Sequence, residues 1–435
     1  MTRKTPPSDP LRRVAFAAFA GTTIEFYDFF IYGTAAALVF GKVFFPALGA
    51  AAGTVAAIAT FAVAFLARPL GAVLFGHLGD RLGRKRTLIL TLTLMGASTV
   101  AVGLLPSAAT IGVAAPIILV ALRFVQGLAV GGEWGGAALL AAEYAPRERR
   151  GRFTMYPQLG PGAAFALTSL TFLITGLSLA PPSFLAWGWR IPFLLSVVLL
   201  AIGLYVRLRI DETPVFRELA ARRQRSSAPI REALRHETPP ILRAGGALSG
   251  VFAFGYIGTV YLTSYGTAVL GLTGPTMLVL GVLGGGVLAG SVVVAARWSD
   301  RVGRRRVVQV GNLVAIVVGP AAFLVMELRH PVAVGIGLCA VLAIGGFGLG
   351  PAAAWLPELF AARYRYTAAG LAYSLAAILG GAIPPIIATT LAASYGGLAV
   401  GVLLAGYGLL GLACGRALPE PGAISLLPRP AVAPA

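Results

Sequence analysis

Five ionisable residues stand inside long apolar runs: Glu25, Asp28, Arg68, Arg123 and Glu133. A charge in such a run is costly in hydrocarbon and marks a functional position by default. All five fall in the first half of the chain, and the apolar runs of the second half carry none. At 1.5 Å of rise per residue, Glu25 lies about 17 Å into its run and Asp28 one turn beyond on the same face. Arg123 lies about 18 Å into a run that travels the other way, so the three share one depth. A carboxylate buried beside an arginine is a workable proton switch. Burial favours its neutral form, the guanidinium favours its charged form, and an anion that captures the guanidinium tips the balance. Asp28 or Glu25 is therefore the candidate proton carrier and Arg123 the candidate holder of a carboxylate. The same charges are also compatible with a static salt bridge between their two runs. Arg68 and Glu133 lie nearer the opposite end of their runs and form a second candidate pair, structural or functional.

The elements that position these charges follow from composition. The chain has 435 residues, 57% hydrophobic and 12% charged, with a mean hydropathy of +0.83. That excludes disorder, a disulfide-stapled secreted domain and an ordinary soluble domain, which is about 25% charged. Apolar runs long enough to cross a bilayer as helices recur throughout. Cut at charges and turn residues they number twelve, at 14–40, 51–76, 87–105, 111–136, 155–178, 190–208, 243–266, 274–296, 307–326, 332–354, 366–392 and 397–415. The expected fold is an all-α integral membrane protein of twelve helices in two six-helix bundles, 14–208 and 243–416. A 209–242 linker joins them, and tails span 1–13 and 417–435. The first run is too long, and too acidic, for a cleavable signal.

The net charge of +19 does not mark a nucleic-acid binder, because the basic residues sit in short loops without aromatic interleaving. Thirty of the 35 lysines and arginines fall on one side of the predicted spans. Only Lys42, Arg190 and Arg329 fall on the other. The positive-inside rule then puts both termini in the cytoplasm. The basic 209–242 segment reads as a solvated linker, or in part as an amphipathic helix on anionic lipid.

The two halves echo each other. Asp80-Arg81-Leu82-Gly83-Arg84-Lys85-Arg86 reappears 220 residues later as Asp300-Arg301-Val302-Gly303-Arg304-Arg305-Arg306. Glu143 precedes Arg150 by seven residues, as Glu358 precedes Arg365. Topology alone does not require repeated acids. Such clusters suit latches that break when two bundles, related by an axis along the membrane normal, move apart. Asp80, Arg84, Glu143, Arg150, Asp300, Arg304, Glu358 and Arg365 are thus the candidate inner gate. In the second half Tyr261, Ser264 and Tyr265 share a face, and Tyr373 adjoins Ser374. These hydroxyls can serve a substrate or merely pack.

The Asp80 loop resembles the signature loop of the major facilitator superfamily. Closer still, the chain resembles its metabolite:proton symporter family. The resemblance is carried by Ile24-Glu25-Phe26-Tyr27-Asp28-Phe29-Phe30, Arg68-Pro69-Leu70-Gly71, Arg123-Phe124-Val125-Gln126-Gly127, Gly131-Gly132-Glu133-Trp134-Gly135, Gly188-Trp189-Arg190-Ile191-Pro192-Phe193 and Glu212-Thr213-Pro214-Val215-Phe216. It extends from about 14 to 416 and implies alternating-access symport of a small organic acid such as a dicarboxylate, a tricarboxylate or a shikimate-like metabolite. The protein would work as a monomer in a bacterial cytoplasmic membrane. Tyr27 and Gln126, within these motifs, join Arg123, Tyr261 and Tyr373 as candidate substrate-binding residues. A proline/betaine carrier is the alternative, although the short proline-rich tail has no coiled-coil heptads. A proton-antiport exporter would use the same residue types.

Other classes find little support in the sequence. It offers no nucleophile–base set and no Walker motif. Its three histidines lack ligand spacing, and Cys339 and Cys414 read as core residues. No enzyme, metal or cofactor is expected, and the proton serves as coupling ion.

Overall fold

The computed structural model describes residues 8–82, 84–131, 150–208, 235, 237–360 and 365–419. The expected 209–242 linker lies almost wholly outside them. Among the described residues, twelve helices are long and apolar enough to cross a membrane. In chain order they are α1 (Ala18–Phe44), α2 (Pro46–Phe75), α3 (Arg86–Leu104), α4 (Ala114–Gly131), α5 (Arg150–Ser178), α6 (Gly188–Tyr205), α7 (Thr238–Ala268), α8 (Gly274–Val302), α9 (Arg304–Met326), α10 (Pro331–Glu358), α11 (Thr367–Tyr395) and α12 (Gly397–Arg416). In hydrocarbon every backbone group must bond within its own segment, which is why apolar runs of this length become helices. Several boundaries depart from expectation by four to six residues, as where the eighth span ends at Val302, and two have a local cause. The first span runs on through Phe44 because a π turn at Ala36–Phe40 continues the helix. The seventh starts at Thr238 because Pro239 and Pro240 suit a first helical turn, where no intrahelical N–H is needed.

The packing repeats with the sequence. In the first half α1 packs on α5, α2 on α4 and α3 on α6. In the second, α7 packs on α11, α8 on α10 and α9 on α12. The halves meet where α5 crosses α8, where α2 meets α11 and where α1 meets α7. Burial follows: 94% of the apolar stretch of α7 is enclosed, against 33% for α6 and α12.

Among the described residues three spans contain a π turn: Ala36–Phe40 in α1, Ile257–Tyr261 in α7 and Ile378–Ala382 in α11. Each inserts extra backbone into the helical repeat, so the residues before and after it face different directions. All three lie in spans that meet the other half.

Close approach of α2 and α4 depends on glycine. A Cβ on Gly127 would strike the backbone of Ala64, and one on Gly131 the backbone of Arg68. This contact holds the backbones carrying Arg68 and Arg123 against each other.

Candidate functional site

The centre of the molecule is an aromatic cage around two guanidiniums. Arg123 of α4 is fully buried, at 0% exposure. Its guanidinium carbon lies 4.2 Å from the centre of the Phe29 ring, 4.2 Å from Tyr32 and 4.7 Å from Phe61. Arg68 of α2 lies 4.9 Å from the same Phe29 ring and 4.5 Å from Phe65. Tyr256, from the other half, packs against Phe29 (5.8 Å), Phe61 (5.9 Å) and Phe65 (5.0 Å).

Arg123 donates from Nη1 to Gln126 Oε1 at 3.0 Å. Gln126 Nε2 donates to Thr99 Oγ1 at 2.9 Å. Thr99, in α3, has one hydroxyl proton and faces both the Met95 carbonyl, at 3.0 Å, and Asp28. Asp28 in turn accepts from Ser196 Oγ at 2.6 Å. Among the described residues no ion pair joins Asp28 to Arg123. Gln126 and Thr99 stand between them, so a direct salt bridge from Asp28 to Arg123 is not formed. Thr99, which lies between them, comes from α3.

The relay leaves Arg123 Nε and Nη2 without hydrogen-bond partners. A buried polar group without a partner costs about 1–3 kcal/mol, more when charged. Each ring contact returns roughly 0.5–2 kcal/mol. The rings therefore hold the cation but leave its directional donors open, and an anion entering the cage gains both Coulomb energy and hydrogen bonds.

Below this cage lies a cavity of about 20 Å³, lined by Glu25, Arg68, Val130, Tyr373 and Ser374 among others. That is room for about one water. Arg68 shares the Phe29 ring with Arg123, and its expected partner Glu133 lies outside the described residues.

A second cluster joins the halves at the arginine-rich face. Arg150 Nη1 lies 3.2 Å from Glu358 Oε1, with both side chains buried, and Arg304 Nε lies 3.3 Å from Glu358 Oε2. Asp300 accepts from the backbone N–H of Gly151 at 2.8 Å and of Arg152 at 3.1 Å. It thereby caps the first turn of α5 from the opposite half, where free N–H groups and the helix dipole favour a carboxylate. Arg304 Nη2 stands 3.8 Å from Asp300. The side chains of Asp80, Arg84 and Arg365, and the whole of Glu143, lie outside what is described.

Two expected substrate contacts point elsewhere. The Tyr27 hydroxyl faces Thr171 Oγ1 at 3.2 Å and the Pro192 carbonyl at 3.3 Å, joining α1 to α5 and α6. The Tyr261 hydroxyl donates to the Ala388 carbonyl at 3.1 Å, and its ring stacks on Tyr265 at 5.6 Å. The π turn at Ile257–Tyr261 accounts for this: it turns Tyr261 toward α11 and leaves Tyr256 facing the cage. Tyr373 does line the central cavity, with its ring 4.9 Å from Phe252. Sequence reasoning did not single out Tyr256, Ser196 or Thr99, or the rings Phe29, Phe61 and Phe65. For the rings one signal was available, since Phe29, Phe61 and Phe65 lie within about two turns of Asp28 or Arg68, whereas Tyr256, Ser196 and Thr99 stand in spans without any of the five charges.

The family described as "Sugar (and other) transporter" matches residues 14–416. The chain is 42% identical to the inner membrane metabolite transport protein YhjE of Escherichia coli K12 over 407 residues, covering 92% of each chain. It is 40% identical to the shikimate transporter of the same organism over 399 residues, covering 89% of each. A structure of the proton:xylose symporter XylE, of the major facilitator superfamily, superposes with a TM-score of 0.74. That match has 17% identity and covers 96% of this chain and 97% of the other.

Proposed function

The chain belongs to the sugar (and other) transporter family of the major facilitator superfamily, and we propose that this secondary transporter carries a small organic anion inward together with protons. One observation carries the proposal. A fully buried guanidinium with open donors, Arg123, is hydrogen-bonded through Gln126 to Thr99, whose hydroxyl adjoins the buried carboxylate of Asp28.

The cycle follows from that wiring. With Asp28 charged, Ser196 donates to it, and the Thr99 hydroxyl can turn from the Met95 carbonyl to do the same, which polarises the relay toward the acid. A proton arriving from outside neutralises Asp28 and turns it into a donor, so Thr99 can accept from it. The Arg123 charge is then unbalanced, and the site gains affinity for a substrate carboxylate. Substrate on Arg123 and proton on Asp28 leave the centre neutral, the state in which the halves can rearrange at least cost in low dielectric. Opening toward the arginine-rich face, read as cytoplasmic from the positive-inside bias, separates Arg150 from Glu358 and Asp300 from the start of α5. Solvent reaching the centre then screens Arg123, the substrate leaves and Asp28 releases its proton. The cellular setting that suits this direction is a bacterial cytoplasmic membrane, as the name of the YhjE relative suggests.

Reconstituted protein tests the reading. An inward proton gradient should drive accumulation of a labelled organic acid, a protonophore should abolish it, and Arg123→Gln should raise KM by at least tenfold. Gradient-driven uptake of proline or betaine alone would replace the organic acid with a zwitterion, and proton efflux on substrate loading would reverse the direction.

A further inference from the structure

Arg68 and Arg123 lean on one ring, Phe29, at 4.9 Å and 4.2 Å. Two cations so close within a membrane are unfavourable unless something answers both charges. Arg68 is 4% exposed, and its Nε has no hydrogen-bond partner. Tyr256 is equally buried. Its hydroxyl lies beside the Arg68 guanidinium and within electrostatic reach of Arg123, yet makes no hydrogen bond of good geometry. Three groups with donors to spare thus converge from both halves. The cavity next to Arg68, which Glu25 also lines, offers the Ser374 and Tyr373 side chains on its far wall.

We propose that Arg68 and Tyr256 form a second anion subsite beside that of Arg123, so that the transporter selects small dianions over monoanions. This rests on the organic-anion reading above and sharpens it. One carboxylate meets the open Nε and Nη2 of Arg123. The other meets Arg68 Nε and takes the Tyr256 hydroxyl as a donor. Because Tyr256 comes from α7 and Arg68 from α2, the second acid group ties the halves together, and a monoanion cannot do this while also satisfying Arg123. Ser374 of α11 stands where the same group would emerge into the cavity.

The test is transport in proteoliposomes with two dicarboxylates, succinate and 2-oxoglutarate, against two monocarboxylates, shikimate and lactate. The wild-type KM for the better dicarboxylate should lie at least tenfold below that for the better monocarboxylate. Arg68→Gln should shift that ratio at least tenfold toward the monocarboxylate, and Arg68→Lys should restore part of it. Tyr256→Phe, a milder change that serves if Arg68→Gln fails to assemble, should shift it severalfold in the same direction. Wild-type preference for a monocarboxylate, or a ratio unmoved in both variants, overturns the second subsite and leaves the organic-anion reading standing. Transport of none of the four acids, or transport indifferent to Arg123→Gln, overturns both.

Discussion

Arg150, at the start of α5, and Glu358, at the end of α10, meet at 3.2 Å across the junction of the two halves, with both side chains buried. Glu358 also receives Arg304 at 3.3 Å. One acid therefore serves two arginines from different halves, so a change at Glu358 unlocks more than a single pair. Breaking a buried pair by removing one partner costs about 3–5 kcal/mol. Glu358→Gln should consequently shift the protein toward the state open at this face. Spin labels on the exposed positions Arg152 and Arg297 should show a longer distance in the variant, by several ångströms in the dominant population.

The cap that Asp300 places on α5 predicts a weaker form of the same effect. Asp300→Asn keeps one acceptor oxygen but removes the charge that faces the helix dipole, a contribution of about 0.3–1 kcal/mol. The open population should rise severalfold by the same label distance, less than in Glu358→Gln. An equal or larger shift would mean that Asp300, not Glu358, dominates the closure.

Gly127 predicts that helix contact and chemistry are linked. Any side chain there collides with the Ala64 backbone, and forced overpacking typically costs about 1–3 kcal/mol. Gly127→Val should lower the Tm of the solubilised protein by several degrees and raise the substrate KM, because Arg123 is displaced from its rings. A variant with native Tm and KM would show that α2 and α4 can separate without disturbing the cage.

Tyr261 offers the opposite expectation. Its hydroxyl is committed to the Ala388 carbonyl, so Tyr261→Phe should cost about 0.5–1.5 kcal/mol of stability and leave KM within twofold of wild type. A tenfold rise in KM would put the hydroxyl back in the substrate path.

What the sequence discloses, and what it hides, follows from how each signal is generated. Spans are legible because length and apolarity are local properties. Asp28 and Arg123 are legible because a charge stands out against hydrocarbon residues. The repeat of the Asp80 loop at Asp300 foretells the paired packing, α1 on α5 answered by α7 on α11. Partners are another matter. Ser196 and Thr99 are small hydroxyls of the kind that usually bond their own helix, and Thr99 does bond Met95. Only tertiary packing brings them to Asp28. Tyr256 and Tyr261 look alike in an apolar run, and a π turn that no local pattern announces decides which one faces the centre. Glu358 and Arg365 share the spacing of Glu143 and Arg150, but no such spacing announces that Glu358 meets Arg150 in the other half and Arg304 in its own.

The coupling of Asp28 to transport is the centre of this account, and Asp28→Asn tests it most directly. The amide keeps the shape and mimics the protonated acid, so substrate counterflow at equal pH should persist within a fewfold of wild type. Accumulation driven by an inward proton gradient in the same proteoliposomes should vanish. Full proton-driven accumulation by Asp28→Asn would contradict the account and move the proton to another residue.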